Sequence, residues 1–542
     1  MILEGARRWL DVNIFALGRE MRLSYLPPLM VYVAYGVSGL TGIVGTFFVK
    51  DYLGLSAAFL AALGFWAGIP WVLKVPLGHL VDLIWRWKSW LVFLGAAMIA
   101  ASMLIMVGLL ADRAAMAAVM PAEAWYVLST LLNPVGYVIQ DVVADAMTVE
   151  AVPRYAADGT PVSQEARKLM NTTMQTLGRV ALIGGLVLVT GINLYVFSDV
   201  EGLTVAEKAA IYRQVYLMAL VIPFISVAGI GLASFLRRRD LRRLVAGGME
   251  ARKAQEMMAR PEEAPAPNWW ILGGSALFVA FTLGMGFSDV PWNQEIIFSG
   301  SMAIVVFLIV KLTRELEPVA RATLIGTAVV IFVYRAAPLP GDAVTWWMID
   351  ELKFDERFLS ILSLISSALT LAGMFVFRRF MADNSIAYVV GALTVASALL
   401  SAPIVGMYYG LHHWTAAATG GVIDARFIAI VNTALESPLG QIAMIPMLAW
   451  IANSAPANLK ATYFAIMASF TNLALSASQL GTKYLNQTYV VTREVRDAAT
   501  GAITVPADYS QLGSLLIVQL LIGLVLPFAA IALVRALGLK WA

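Results

Sequence analysis

The sequence predicts an all-α membrane protein of about fourteen transmembrane helices. Two observations carry this. Of 542 residues, 60% are hydrophobic and only 13% are charged, whereas soluble domains hold about 45–50% apolar and about 25% charged residues. The apolar residues also gather into runs of about 20, enough to cross about 30 Å of hydrocarbon as helix. A water-soluble core cannot bury so much apolar surface, so lipid is the expected solvent. The runs lie near 26–48, 58–82, 89–111, 125–150, 171–197, 212–236, 269–288, 295–312, 319–338, 358–380, 385–410, 426–452, 460–485 and 511–536.

An even number of spans returns both termini to one side, and charge chooses the side. Alternate loops carry roughly 25 Lys and Arg against about 10, which predicts that the richer, N-terminal side is cytoplasmic. Arg237–Arg239 with Arg242 and Arg243 belong to that side. Met1 to Arg22 holds four arginines and no cleavable signal pattern, so the first run is expected to stay as a span. The expected setting is the plasma (inner) membrane.

One polar stretch interrupts the pattern. Residues 237–268 open with RRRDLRR and end in PEEAPAP, a cytoplasmic linker by composition. The expected organisation is a six-helix bundle over 1–236, the linker, an extra helix pair over 269–312, and a second six-helix bundle over 313–542. Two such bundles match internally repeated secondary transporters. No GxxxxGK[ST] phosphate loop is present, so a gradient is the expected fuel.

Other function classes drop out. A net charge of +3 gives no footprint for nucleic acid, and the absence of cysteine removes thiolate chemistry. The three histidines, His79, His412 and His413, are too few and too scattered for a metal centre. With no catalytic triad either, no enzyme activity, metal or cofactor is expected. The expected partners are a small molecule, protons and the bilayer, with the chain a monomer.

Charges inside spans are costly and usually face a cavity or a partner. The fourth span reads NPVGYVIQDVVADAMTVE, and Asp141 and Asp145, four residues apart, share one helix face. Lys74 in the second span and Arg179 in the fifth lie at a similar depth, about 10–13 Å from the cytoplasmic ends at 1.5 Å per residue. These four can form one near-neutral cluster. It is either a static network that pins helices together or the place where a carboxylate exchanges a proton or meets substrate. Glu150 lies near the cytoplasmic mouth, as a gate contact or as a solvated charge. In the second half Arg335 and Glu436 both fall on outer helix halves, where a pair is geometrically possible. Trp346 and Trp347 are expected in an outer loop, as an interfacial belt or as a stacking platform for a flat ring.

The segment LKVPLGHLVDLIWRWKSW resembles the loop between spans two and three of major facilitators, with Gly78, Asp82, Arg86 and Lys88 at matching places. Leu83 stands where a basic residue is usual, and the second glycine is missing. The resemblance implies the major facilitator fold and a gating role for Asp82 and Arg86, with Asp82 latching one conformation at a helix N-terminus. Three further patches, QDVVADAMTVE, PLPGDAVTWWMIDELKFDERFLSILSLISSALTLAG and PMLAWIANSAPANLKATYFAIMASFTNLALSASQLG, resemble the folate–biopterin transporter family. That family implies uptake of a folate- or pterin-like organic anion, coupled to protons. Lys74, Arg179 and Arg335 would then meet substrate carboxylates or ring oxygens, and Asp141 or Asp145 would carry the proton. The extra pair departs from the family's twelve-helix description and also suits muropeptide permeases of cell-wall recycling. A non-transporting assembly or pigment-delivery factor is the alternative from another class.

Overall fold

In a computed structural model the described residues are 16–49, 53, 55–72, 74–84, 87–152, 162–198, 200, 203–258, 269–286, 288, 290–314, 317–377, 380, 384–439, 460–496 and 503–541. The chain is almost wholly helical. In the N-terminal half the principal helices are α1 (Leu26–Val37), α2 (Gly42–Phe48), α3 (Ala57–Val72), α4 (Lys74–Leu83), α5 (Lys88–Ala111), α6 (Ala122–Ala151), α7 (Gln164–Val196), α8 (Val205–Ala219) and α9 (Val221–Ala246). After α10 (Ala251–Met258) come the extra pair, α11 (Trp269–Gly286) and α12 (Asn293–Thr313). The C-terminal half holds α13 (Pro318–Ala336), α14 (Asp342–Asp350), α15 (Glu356–Val376), α16 (Ile386–Tyr408), α17 (Leu411–Ala418), α18 (Ala425–Glu436), α19 (Lys460–Thr488) and α20 (Leu512–Ala536). Two short antiparallel strands, β1 (Val495–Arg496) and β2 (Ile503–Val505), join the last two helices.

Among the described residues ten helical segments are long and apolar enough to cross a membrane, and Ala57–Val72 and Leu272–Gly286 are shorter apolar helices. The membrane assignment stands; a count of fourteen is not established. Of the expected span 58–82, residues 58–72 (α3) and 74–82 (α4) are helical, residue 73 lies outside the described residues, and Pro70 sits inside α3. A proline there removes a backbone donor and crowds the preceding turn. The first part of the expected linker is helical. The RRRDLRR run continues α9 without interruption as far as Ala246, because Arg and Leu favour helix and no breaker occurs before Gly247.

Helices approach closely where side chains are absent, the usual way helices associate in lipid. A Cβ on Gly36 of α1 would lie 2.0 Å from the Leu182 carbonyl oxygen of α7, and one on Gly95 of α5 would lie 2.5 Å from that of Gly136 in α6. The N-terminal core gathers Val44, Phe48, Ile99, Met103, Tyr212 and Ile222. A second cluster crosses the seam between the halves: Phe65 and Ile69 of α3 meet Leu473 of α19, Leu324 and Ile331 of α13, and Phe278 and Ile297 of the extra pair. The extra pair thus packs on α4 and α19, at the side of the seam.

Candidate substrate and proton site

The last turn of α3 is engaged from across the seam by side chains of α19: Ser469 Oγ donates to the Val72 carbonyl at 2.8 Å and Asn472 Nδ2 to that of Trp71 at 3.1 Å. The backbone just ahead of Lys74 is thereby tied to the second half of the chain.

Lys74 Nζ lies 2.6 Å from Asp141 Oδ2 and 2.8 Å from Asp145 Oδ2. One ammonium therefore serves two carboxylates, as the one-turn spacing on α6 allows. The side chains of Lys74 and Asp141 are 22% and 15% exposed, whereas Asp145 is 44% exposed and forms the open edge of the cluster. Tyr32 Oη of α1 donates to Asp145 Oδ1 at 2.6 Å. The Tyr32 ring lies against Gly178 of α7, where a Cβ would approach it to 3.0 Å. Arg179 is close enough for its charge to act on Asp141, Tyr32 and Tyr35, but among the described residues it makes no ion pair. The cluster thus has Lys74 at its centre and Arg179 at its flank.

An aromatic wall stands beside it. Tyr35 is 5.5 Å from Trp71 and 5.2 Å from Tyr137, centroid to centroid. Tyr32, Tyr35, Tyr137, Gln140 and Asp141 line a narrow crevice. Sequence reasoning missed these tyrosines. Tyr32 and Tyr35 do share a face of the first span at i, i+3, but aromatic residues in apolar helices mostly pack.

The remaining predicted residues scatter. Glu150 accepts an ion pair from Lys88 at 2.6 Å, tying the end of α6 to the start of α5. Arg86 lies outside the described residues, and of Asp82 only the helical backbone in α4 is described. Arg335 and Glu436 do not pair: Glu436 meets Asn432 at 3.4 Å, one turn back on its own helix α18, which packs on α15 and α16 rather than on α13. Trp346 and Trp347 are not in an exposed loop. Both are buried in the short helix α14, Trp346 at 1% exposure, against Met407, Tyr509 and Leu512. The face of Trp346 is occupied by the Arg493 guanidinium, 4.7 Å from the ring centroid, so the stacking partner is the protein's own cation. Burial pushes the nearby Asp342 carboxyl above the usual range, and the Arg493 charge opposes that shift. The rings of His412 and His413 lie 3.9 Å apart, centroid to centroid, tilted by 40°, and the described residues contain no group of three metal-ligating side chains.

Two polar contacts were not anticipated. Glu356, at the first turn of α15, is 0% exposed; Lys208 Nζ of α8 lies 2.9 Å from it and Tyr212 Oη donates to it at 2.6 Å. This joins the two halves at the end of the bundle that carries the 198–204 and 339–356 connections. At the start of α12, Glu295 takes both Lys483 Nζ (2.6 Å) and Tyr484 Oη of α19, while Gln294 donates to the Ala62 carbonyl of α3 at 3.2 Å. The extra pair is therefore keyed to both halves.

Residues 288–537 match the model of the BT1 family. The folate-biopterin transporter of Synechocystis sp. is 24% identical over 464 residues, covering 84% of this chain and 74% of that protein. Among solved structures, the peptide transporter POT aligns with a TM-score of 0.59 at 14% identity, covering 95% of this chain and 94% of that one. The nucleoside transporter NupG gives 0.52 at 13% identity, with 94% and 99% covered. At such identities the solved structures establish the fold alone, and it is that of the major facilitators. By these similarities the protein is an integral membrane transporter and not an enzyme; over residues 288–537, a little under half of the chain, it matches the BT1 family, and it is similar to a folate-biopterin transporter.

Proposed function

We propose that this transporter couples proton entry to uptake of a folate- or pterin-like organic anion, with both termini in the cytoplasm and the plasma membrane as its site. The observation that carries the reading is the single ammonium of Lys74 between the carboxylates of Asp141 and Asp145. An arriving substrate carboxylate is a third claimant for that ammonium. Protonation of Asp145, the exposed member, removes one claimant and frees a donor of Lys74 for the substrate. When the proton leaves, Asp145 reclaims Lys74 and the substrate is displaced. Proton and anion then travel together because one charge cannot satisfy three partners. The adjoining tyrosines and Trp71 suit the flat face of a heteroaromatic ring. The relative from Synechocystis, by its name, carries folates and biopterin.

Purified protein in vesicles, given an inward proton gradient, is expected to accumulate labelled folate or pterin, and a protonophore to stop it. Accumulation of muropeptides or nucleosides instead would reassign the substrate. Binding of pterins with no response to the gradient would remove the coupling. Orientation is tested separately. Reporters fused at residue 250 and at the C-terminus are expected to read cytoplasmic, and one near residue 495 external. An external reading at the C-terminus would show an odd number of crossings.

A further inference from the structure

The cytoplasmic extension of α9 has no part in the transport site, yet its placement is specific. Exposed positions on this helix recur at Val221, Phe224, Gly231, Phe235, Arg238 and Arg242. The intervals fit a 3–4–3–4 repeat, with half-buried Ala228 filling the place between Phe224 and Gly231, so one stripe runs the length of the helix. Its first part is apolar and uncovered, with Phe224 and Phe235 70% and 62% exposed. In a membrane helix such a stripe faces acyl chains. One turn beyond Phe235 the same stripe becomes Arg238 and Arg242, at the level where acyl chains give way to phosphates.

Among the described residues little offsets the charge there. Five arginines lie between 237 and 243 with one acid, Asp240, and that acid is engaged by Arg239 at 2.9 Å. Among the described residues no ion pair involves Arg238 or Arg242. The chain then reverses at Gly248, whose φ of 91° is open to glycine, with Gly248 N–H donating to the Val245 carbonyl and Met249 N–H to that of Leu244. This folds α10 back onto α9, burying Ala254 and leaving Lys253 exposed on the returning helix.

We propose that this end of α9, with Arg238 and Arg242 at its centre, is a binding site for the phosphate groups of anionic phospholipids. The stripe matches both halves of such a ligand: an uncovered apolar helix face for the chains and, in register above it, guanidinium groups that pair with phosphate through two parallel N–H donors. An acidic protein or a soluble phosphate would use only the second half. The site is independent of the transport reading, since neither arginine is near Lys74 in the chain or in the substrate cluster.

The test uses the full-length protein in neutral detergent, titrated with phosphatidylglycerol or phosphatidylcholine and read by lipid retention in native mass spectrometry. Phosphatidylglycerol is expected to bind at least about tenfold more tightly, and 0.5 M salt to erase most of the difference. The double variant Arg238→Gln/Arg242→Gln is expected to lose about twenty- to thirty-fold in phosphatidylglycerol affinity, the weight of two surface cations near anionic lipid, with phosphatidylcholine unchanged. Arg535→Gln, a lone arginine at the end of α20, is expected to change nothing. Both variants alter exposed side chains, and an unchanged melting temperature in detergent verifies their folding. An unaltered lipid preference in the double variant overturns the proposal. So does displacement of the lipid by an equal concentration of glycerol phosphate, which would make this a site for free phosphate.

Discussion

Lys74→Gln is expected to cost about 3–5 kcal/mol of stability, because it leaves two carboxylates one turn apart without their cation in a largely buried site. The cost comes mainly from Asp141, since Asp145 is 44% exposed and keeps the Tyr32 hydroxyl. Adding Asp141→Asn to the same chain is expected to restore most of the loss, as it removes the buried acid and leaves the exposed one. Melting of the single and double variants in detergent measures the coupling directly. The same arrangement separates two roles in transport. Asp145→Asn leaves Lys74 paired with Asp141, so the protein should melt normally. It should fail to accumulate substrate on a proton gradient yet still exchange labelled for unlabelled substrate, because exchange moves no net proton. If Lys74→Gln melts within about 0.5 kcal/mol of wild type, a change typical of surface substitutions, the cluster is solvated and the buried-pair account is wrong. If Asp145→Asn accumulates substrate normally, the proton travels elsewhere, and Glu436 is the next candidate.

How much of this was legible beforehand follows from where each residue gets its surroundings. The spans were readable because lipid demands long apolar runs whatever the tertiary structure. The cluster was readable because a charge at mid-depth needs a partner, and two acids at i, i+4 announce a shared face. Depth alone could not rank Lys74 above Arg179, since that depends on which way α4 and α7 turn toward α6. Trp346 and Trp347 looked exposed because they lie between spans. Asp342 in a first turn and Gly341 ahead of it start a short helix there, and only packing on α16 and α20 buries it. Glu356 and Lys208 were unreadable for the same reason. Charges at span ends normally meet water, and nothing local says that two distant connections close over these two.

That closure supports the second large effect. Lys208→Met is expected to cost more stability than Glu356→Gln, although Lys208 is the more exposed partner, because it strands a carboxylate that is 0% exposed. The loss is about 3–5 kcal/mol at most, and Tyr212 Oη still donates to Glu356 in that variant. Glu356→Gln keeps an acceptor for Tyr212 and loses the charge that draws Lys208 across the seam. Its effect should fall on the equilibrium between closed and open states at this end of the bundle, since the contact exists only when α8 and α15 are together. The chain contains no cysteine, so a single introduced thiol reports without background. Leu359 of α15 packs against the N-terminal core in the closed state, which makes Leu359→Cys a suitable reporter. In the Glu356→Gln background its maleimide labelling should be at least about tenfold faster, the response to a bias of about 1.4 kcal/mol. Substrate affinity from the opposite side should fall in step, because the competing open state takes up part of the population. Labelling that stays slow in Glu356→Gln, together with a large drop in melting temperature, would mean that the ion pair fixes the fold and does not cycle.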